Sequence, residues 1–235
     1  MLRALPDQDF AVLQPHLERV ELHLRQTLVE PGQPIEAIYF LEGGICSIVA
    51  KQERGEEAEA GLFGREGMSG TPILLGSESS PHRSIMQVNG NTALRLHADR
   101  LREACERSRS LRDLLLRFAQ TLNVQAAETA VVNAHYTLSE RLARWLLMCH
   151  DRTSGDDIGL THEFMAVMLG VRRSGVTVTL HTLEGTGAIK TRRSTVMITD
   201  RARLEEIAGP SYGAAEAEYA RLIRPLRKSN DDALA

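Results

Sequence analysis

The spacing of apolar positions changes period along this chain, and each change predicts a different element. In the N-terminal half, short β-prone runs alternate with turn chemistry. Glu30-Pro31-Gly32-Gln33-Pro34 leads into Ile35-Glu36-Ala37-Ile38-Tyr39-Phe40-Leu41. Glu42-Gly43-Gly44 interrupts, and Ile45-Cys46-Ser47-Ile48-Val49-Ala50 follows. Further turns are expected at Gly64-Arg65-Glu66-Gly67, at Gly76 and at Asn89-Gly90, the last a tight-hairpin signal. Short runs punctuated in this way indicate a β-sandwich or roll. Ahead of them, residues 7–17 read as a helix with Phe10, Leu13 and Leu17 on one face.

From Ser110 the period becomes helical. Leu111, Leu115, Phe118, Leu122, Gln125, Thr129, Val132 and Tyr136 follow one another at steps of 4, 3, 4, 3, 4, 3 and 4, an average of 3.5. That is the period of a coiled-coil seam, and polar members such as Gln125 and Thr129 can set its register. One long helix packed on its own domain is the alternative. Thr137-Leu138-Ser139-Glu140 then forms a capping box that starts a new helix, with Leu142, Trp145, Leu146 and Cys149 inward. The junction at residues 134–137 is the expected hinge and domain boundary.

Thr161 to Glu184 has the spacing of a helix-turn-helix. Thr161 can cap a first helix whose inner face is Met165, Ala166 and Leu169. Ala166 is small where the second helix must cross, and Gly170 can take the positive φ of a sharp turn. Val171 and Val176 return the second helix to the first, leaving Arg172, Arg173, Ser174, Thr177 and His181 outward. Two arginines and hydroxyls in the opening turns suit the DNA major groove. An ordinary helical hairpin is the competing reading, and the residues that follow weigh against it. Gly185 and Gly187 end the helix, and two short β-branched runs then flank a basic turn, the pattern of a winged helix. Lys190, Arg192 and Arg193 are placed for the phosphate backbone, and Asp200 can cap a last short helix through about Ala208.

Charge sharpens this locally. The 235-residue chain has a net charge of −3, which by itself does not suggest nucleic acid. Residues 170–193, however, carry five Lys and Arg against Glu184, a balance of +4, whereas residues 1–136 carry 14 against 18 acids. An acidic module joined to one with a basic edge fits a protein that touches double-stranded DNA with one part only. A two-fold symmetric reader in turn favours pairing through the Leu111-to-Val132 seam. Cys46, Cys105 and Cys149 form no CxxC pair and read as free thiols in a reducing cytoplasm. No apolar run approaches the ~20 residues of a membrane span, and no secretory signal is apparent.

The roll carrying Pro31 to Gly44, the long helix and the winged helix-turn-helix together resemble the Crp/Fnr family of bacterial transcription regulators. The resemblance covers roughly Ile35 to Ala208. It implies an α+β protein with a cyclic-nucleotide-binding-like β-roll (residues 1–109), a dimerisation helix (110–136) and a winged helix-turn-helix (137–209). Beyond it, Tyr212, Tyr219, Leu222 and Leu226 suggest a helix folded back on the body, giving a C-terminal helix and frayed tail (210–235). It also implies a homodimer on a two-fold symmetric operator and contact with RNA polymerase. In the cyclic AMP-binding members a phosphate cassette holds Gly-Glu-Leu, with an Arg-Ser pair downstream. Gly70-Thr71-Pro72-Ile73 and Arg83-Ser84 stand there in this chain, so Gly70, Thr71, Arg83 and Ser84 are the candidate effector residues. Thr71 replaces the acid, Pro72 removes a donor, and Ala126-Ala127 replace the hydroxyls that meet the adenine. These departures point away from cyclic AMP, and Arg83 has an alternative role as an ion pair with Glu66 or Glu78. No cysteine precedes Cys46 to hold an iron–sulfur cluster, and His82 is the one haem-ligand candidate, without support from its neighbours.

The reading head departs too. Arg173 matches the family's first base-reading arginine, while Ser174 stands for its Glu and Val178 for its second Arg. Arg172 is placed for phosphate or base. Catalytic patterns are incomplete: His162-Glu163 opens a zinc motif whose second His would fall at Ala166, and Gly185 to Lys190 lacks phosphate-loop spacing. The expectation is a non-enzymatic transcription regulator with no cofactor and no metal. The alternative is a small-molecule or protein-binding module that uses its helix-turn-helix only for packing.

Overall fold

The computed structural model describes residues 1–88 and 92–226. The expected Asn89-Gly90 turn and the tail from Arg227 to Ala235 lie outside them. The β-prone runs form two antiparallel sheets. One is ordered β1 (Glu18–Glu21), β7 (Thr92–His97), β3 (Ala37–Leu41). The other is ordered β2 (Thr27–Val29), β6 (Arg83–Val88), β4 (Ile45–Lys51), β5 (Glu57–Phe63). β6 and β7, on either side of Asn89-Gly90, therefore belong to different sheets. The first helix, α1 (Asp7–Leu13), is shorter than expected because the Pro15 segment continues as a 3-10 turn. The inner faces of both sheets enclose Ile38, Phe40, Cys46, Phe63, Met68 and Met86 in one core.

α2 (Ala98–Arg107) has no turn-bounded pattern to mark it in the sequence; it buries Ala98, Leu101 and Ala104. α3 (Arg109–His135) is capped by Ser108, whose hydroxyl accepts from Leu111 N–H. Buried Asp9 accepts from Ser108 and Ser110 Oγ, both at 2.5 Å, and ties α1 to the start of the long helix. The expected dimer seam is corrected here. Leu111, Leu115, Phe118, Gln125 and Val132 are buried inside this chain's own fold, and Leu122 and Thr129 are half-buried. Phe118 meets Phe63 edge-on at 6.3 Å, and Gln125 Oε1 accepts from Leu62 N–H at 2.6 Å. Gly67 permits this approach, since a Cβ there would lie 2.5 Å from the Phe118 ring. A 3.5-residue stripe marks a covered face without naming the cover, which here comes from this chain's own β5, α2 and the C-terminal helix Ala214–Leu222.

The capping box at Thr137 starts α4 (Leu138–His150) with both reciprocal hydrogen bonds formed. Then come β8 (Asp157–Ile158), α5 (His162–Leu169), α6 (Arg173–Gly185), β9 (Ile189–Arg192), β10 (Thr195–Ile198) and α7 (Arg201–Ala208). α8 (Ala214–Leu222) folds back on α3, with buried Tyr219 donating its hydroxyl to Glu66 O at 2.9 Å. No described helix is long and apolar enough to cross a membrane.

Roll and reader share a core. Ile45, Val49 and Leu62 of the roll belong to the same buried cluster as Trp145, Leu146, Met165, Leu180 and Leu204. Two buried polar links cross the same joint. Arg152 Nε, just beyond α4, donates to Glu66 Oε1 at 2.6 Å, and its Nη1 donates to Met148 O. Burial alone would raise the Glu66 carboxyl, but the Arg152 guanidinium holds it below the usual range. Glu59 on β5 accepts from Trp145 Nε1 at 2.8 Å and from Ser47 Oγ at 2.5 Å, while Ser47 also touches Gln87 Oε1. Burial pushes the Glu59 carboxyl up to about 7, against the hydrogen bonds and the more distant Arg144 and Arg152 charges. A Ser hydroxyl has one proton and here faces two acceptors. A protonated Glu59 resolves that conflict by donating to Ser47.

Candidate nucleic-acid interface

The helix-turn-helix forms for the reasons its residues give. Thr161 Oγ1 accepts from Phe164 N–H at 3.2 Å to cap α5. Met165, Ala166 and Leu169 are buried beneath α6. Gly170 ends α5 at φ 62°, and Val171 N–H then bonds Ala166 O. Arg141 of α4 donates to Leu169 O, covering the exposed carbonyl end of α5.

α6 turns Val176, Thr179, Leu180 and Leu183 inward. Arg172, Arg173, Ser174 and His181 are exposed, in agreement with their spacing. Thr177 is different: it is half-buried, donates to Arg173 O at 3.2 Å and meets His162 Nδ1 at 2.9 Å. Its hydroxyl is engaged within the motif and orients the start of the helix. Ser174, Val178 and His181 fall on one stripe opposite the buried face, and Val178 is 66% exposed. Family resemblance alone marks Val178 only as the loss of an arginine; an apolar residue in the middle of a polar front is the signal available in the sequence.

β9 and β10 form the wing, with Ile189 opposite Ile198 and Thr191 opposite Val196, and Ser194 turning at φ 57°. Strand alternation sends Ile189, Val196 and Ile198 into the core and leaves Lys190 and Arg192 outside, with Arg193 exposed at the tip. Glu184 of α6 accepts from Thr191 N–H at 2.8 Å and Thr191 Oγ1 at 3.0 Å, which holds its carboxyl below the usual range. The one acid of the basic segment thus fastens the wing to the reading helix.

The four candidate effector residues do not converge. Gly70, Thr71 and Ser84 line a cavity of about 110 Å³ inside the roll, together with Phe63, Met68 and His82. Arg83 lies on the other face of β6, because neighbours in a strand point to opposite sides. It donates to Glu57 Oε2 at 3.3 Å, which corrects the expected partners Glu66 and Glu78. There it borders a cleft of about 720 Å³ between roll and reader, lined also by Arg25, Phe164, Arg173 and Arg193. The Arg83-Ser84 pair is therefore divided between two sites.

Comparison with known proteins agrees with this geometry. Residues 140–207 match the Crp-like helix-turn-helix domain family. The chain is 26% identical over 160 residues to the global nitrogen regulator of Nostoc sp., covering 65% of this chain and 72% of that one. Among solved structures it resembles FixK2 from Bradyrhizobium japonicum, with a TM-score of 0.68 and 15% identity over 82% of this chain and 98% of that one. A Crp-family transcriptional regulator from Thermus thermophilus gives a TM-score of 0.66 and 21% identity, over 84% and 99%. The structural likenesses bear on fold, and the domain match on the reader. Residues 140–207 thus belong to the Crp-like helix-turn-helix domain family, carried on a fold shared with solved Crp/Fnr-family structures.

Proposed function

We propose that the chain acts as a homodimer in the cytoplasm, reading a two-fold symmetric DNA operator without an enzymatic step. The observation that carries this is the α6 front with its wing: Arg172, Arg173, Ser174 and His181 with Lys190, Arg192 and Arg193, all exposed above a fully packed back. Arg173 grips a guanine edge by its two-donor fork, worth ~1–3 kcal/mol of discrimination. The wing cations and Arg172 meet phosphates, which fix register without reading bases. Contact with RNA polymerase follows from the family resemblance.

Dimerisation falls to the opposite side of α3 from the buried seam. Gln120, Asn123, Ala127, Ala130 and Ala134 lie along that side, recurring at steps of 3, 4, 3 and 4. Ala127, Ala130 and Ala134 let two α3 helices approach closely, and two reading helices about 34 Å apart then match successive major grooves. The cavity inside the roll leaves room only for a small effector at Gly70, Thr71 and Ser84. At about 110 Å³ it is well below the ~300–1,000 Å³ of ordinary ligand pockets, which speaks against a cyclic nucleotide.

The test is a gel shift against genomic fragments, followed by selection of bound DNA from a random pool. Wild type is expected to enrich a palindrome with guanine in each half-site. Changing Arg172, Arg173 and Arg193 to Ala together is expected to abolish the shift; an unaltered shift removes the reading.

A further inference from the structure

Val178 is out of character with the surface around it. Four large apolar side chains are exposed among the described residues, Leu24, Leu75, Val131 and Val178, and only Val178 lies in the helix-turn-helix domain. Its neighbours on the front of α6 are polar: Ser174 one turn before, His181 one turn after, Thr182 beside it. No packing within the chain asks for a branched hydrocarbon at this place, since the inward face is complete with Val176, Leu180 and Leu183. Its two methyls are also held rigidly, because a β-branched side chain in a helix has one strongly preferred rotamer.

The major groove offers one apolar group to such a side chain, the C5-methyl of thymine. We propose that Val178 is a specificity residue that reads a thymine methyl in each half-site. Resting on the DNA-reading role proposed above, it adds a second base to the guanine held by Arg173. Five residues of helix separate the two, a rise of ~7.5 Å, which spans roughly two base pairs at ~3.4 Å each. The two determinants therefore fall close together within one half-site. Selectivity comes from both directions. A thymine methyl and Val178 leave water together, whereas a cytosine amino group or a purine edge covered by Val178 loses its hydrogen bonds to water with nothing in return.

The experiment uses the full-length protein and the operator selected from the random pool. Each thymine of the half-site is replaced in turn by deoxyuridine, which deletes only the methyl, and affinity is measured for wild type and Val178→Ala. Wild type is expected to weaken by about four-fold per half-site at one thymine position, the value of one buried methyl-sized group. Val178→Ala is expected to bind the parent operator correspondingly less and to be indifferent to that methyl. A thymine-insensitive wild type, or a methyl effect that persists in Val178→Ala, overturns the inference and leaves the DNA-reading role intact. Failure to select any specific DNA removes the DNA-reading role itself. The variant's fold is not at issue, because Val178 is 66% exposed.

Discussion

Replacing Glu59 by Gln should turn a pH-dependent joint into a pH-independent one. In the folded chain the Glu59 carboxyl is pushed from an ordinary 4.5 up to about 7, chiefly by burial. A carboxyl raised in this way holds its proton when folded and releases it when unfolded. Its favourable contribution is therefore complete below about pH 4.5 and is lost as pH climbs through about 7. At ~1.36 kcal/mol per pH unit, the loss amounts to about 3 kcal/mol by pH ~8. The glutamine of Glu59→Gln would keep a carbonyl for Trp145 Nε1 and offer an amide N–H to Ser47, so no partner is orphaned. Urea unfolding from about pH 4 to about pH 8 is the assay, because other titrating groups move both proteins alike and cancel in the difference. Glu59→Gln should match wild type at the acid end and exceed it by about 3 kcal/mol at the alkaline end. Parallel pH profiles would show that Glu59 is ionised in the joint already and that the assigned cause is wrong.

Other consequences can be checked separately. Ala127→Arg should reduce the dimer fraction in sedimentation with little loss of stability, whereas Phe118→Ala should cost ~3–5 kcal/mol in unfolding because it leaves a cavity beneath Phe63. Arg152→Met should destabilise by ~3–5 kcal/mol, since Glu66 would stay buried without its cation, and adding Glu66→Gln should recover much of that. Arg193→Ala should weaken binding evenly across operator sequences and lower the salt slope by ~0.9 per lost phosphate contact. Arg173→Ala should instead relax preference at one base pair, as read by selection.

The local grammar of the chain was legible where a few adjacent residues decide the outcome. Thr161, Gly170, Thr137 with Glu140, and Asp200 each specify a cap or turn through their own side chain or φ, and each does so in the structure. What could not be read was which neighbour covers a patterned face. The Leu111-to-Val132 stripe has the same period whether its own domain or a second copy's helix lies on it. The burial of Leu111, Leu115, Phe118, Gln125 and Val132 within the chain separates the two. The Arg83-Ser84 pair failed for a related reason: adjacency along a strand means opposite faces, so two residues that match a motif in sequence part company in space. Glu59 was invisible because an acid within a short strand ordinarily marks the solvent side.

The continuous core between roll and reader sets how far the two can drift apart unaided. Separating them would return Ile45, Val49 and Leu62 to water along with their partners on α4 and α6. Each such side chain is worth ~1.5–3 kcal/mol, so the separated form lies at least ~5 kcal/mol above the joined one. At ~1.4 kcal/mol per tenfold, fewer than about one molecule in a thousand is separated at any moment. An input that repositions the reader must therefore contribute differential affinity of that order, or else slide the joint without opening it. Random thermal excursions therefore leave the helix-turn-helix domain seated on the roll.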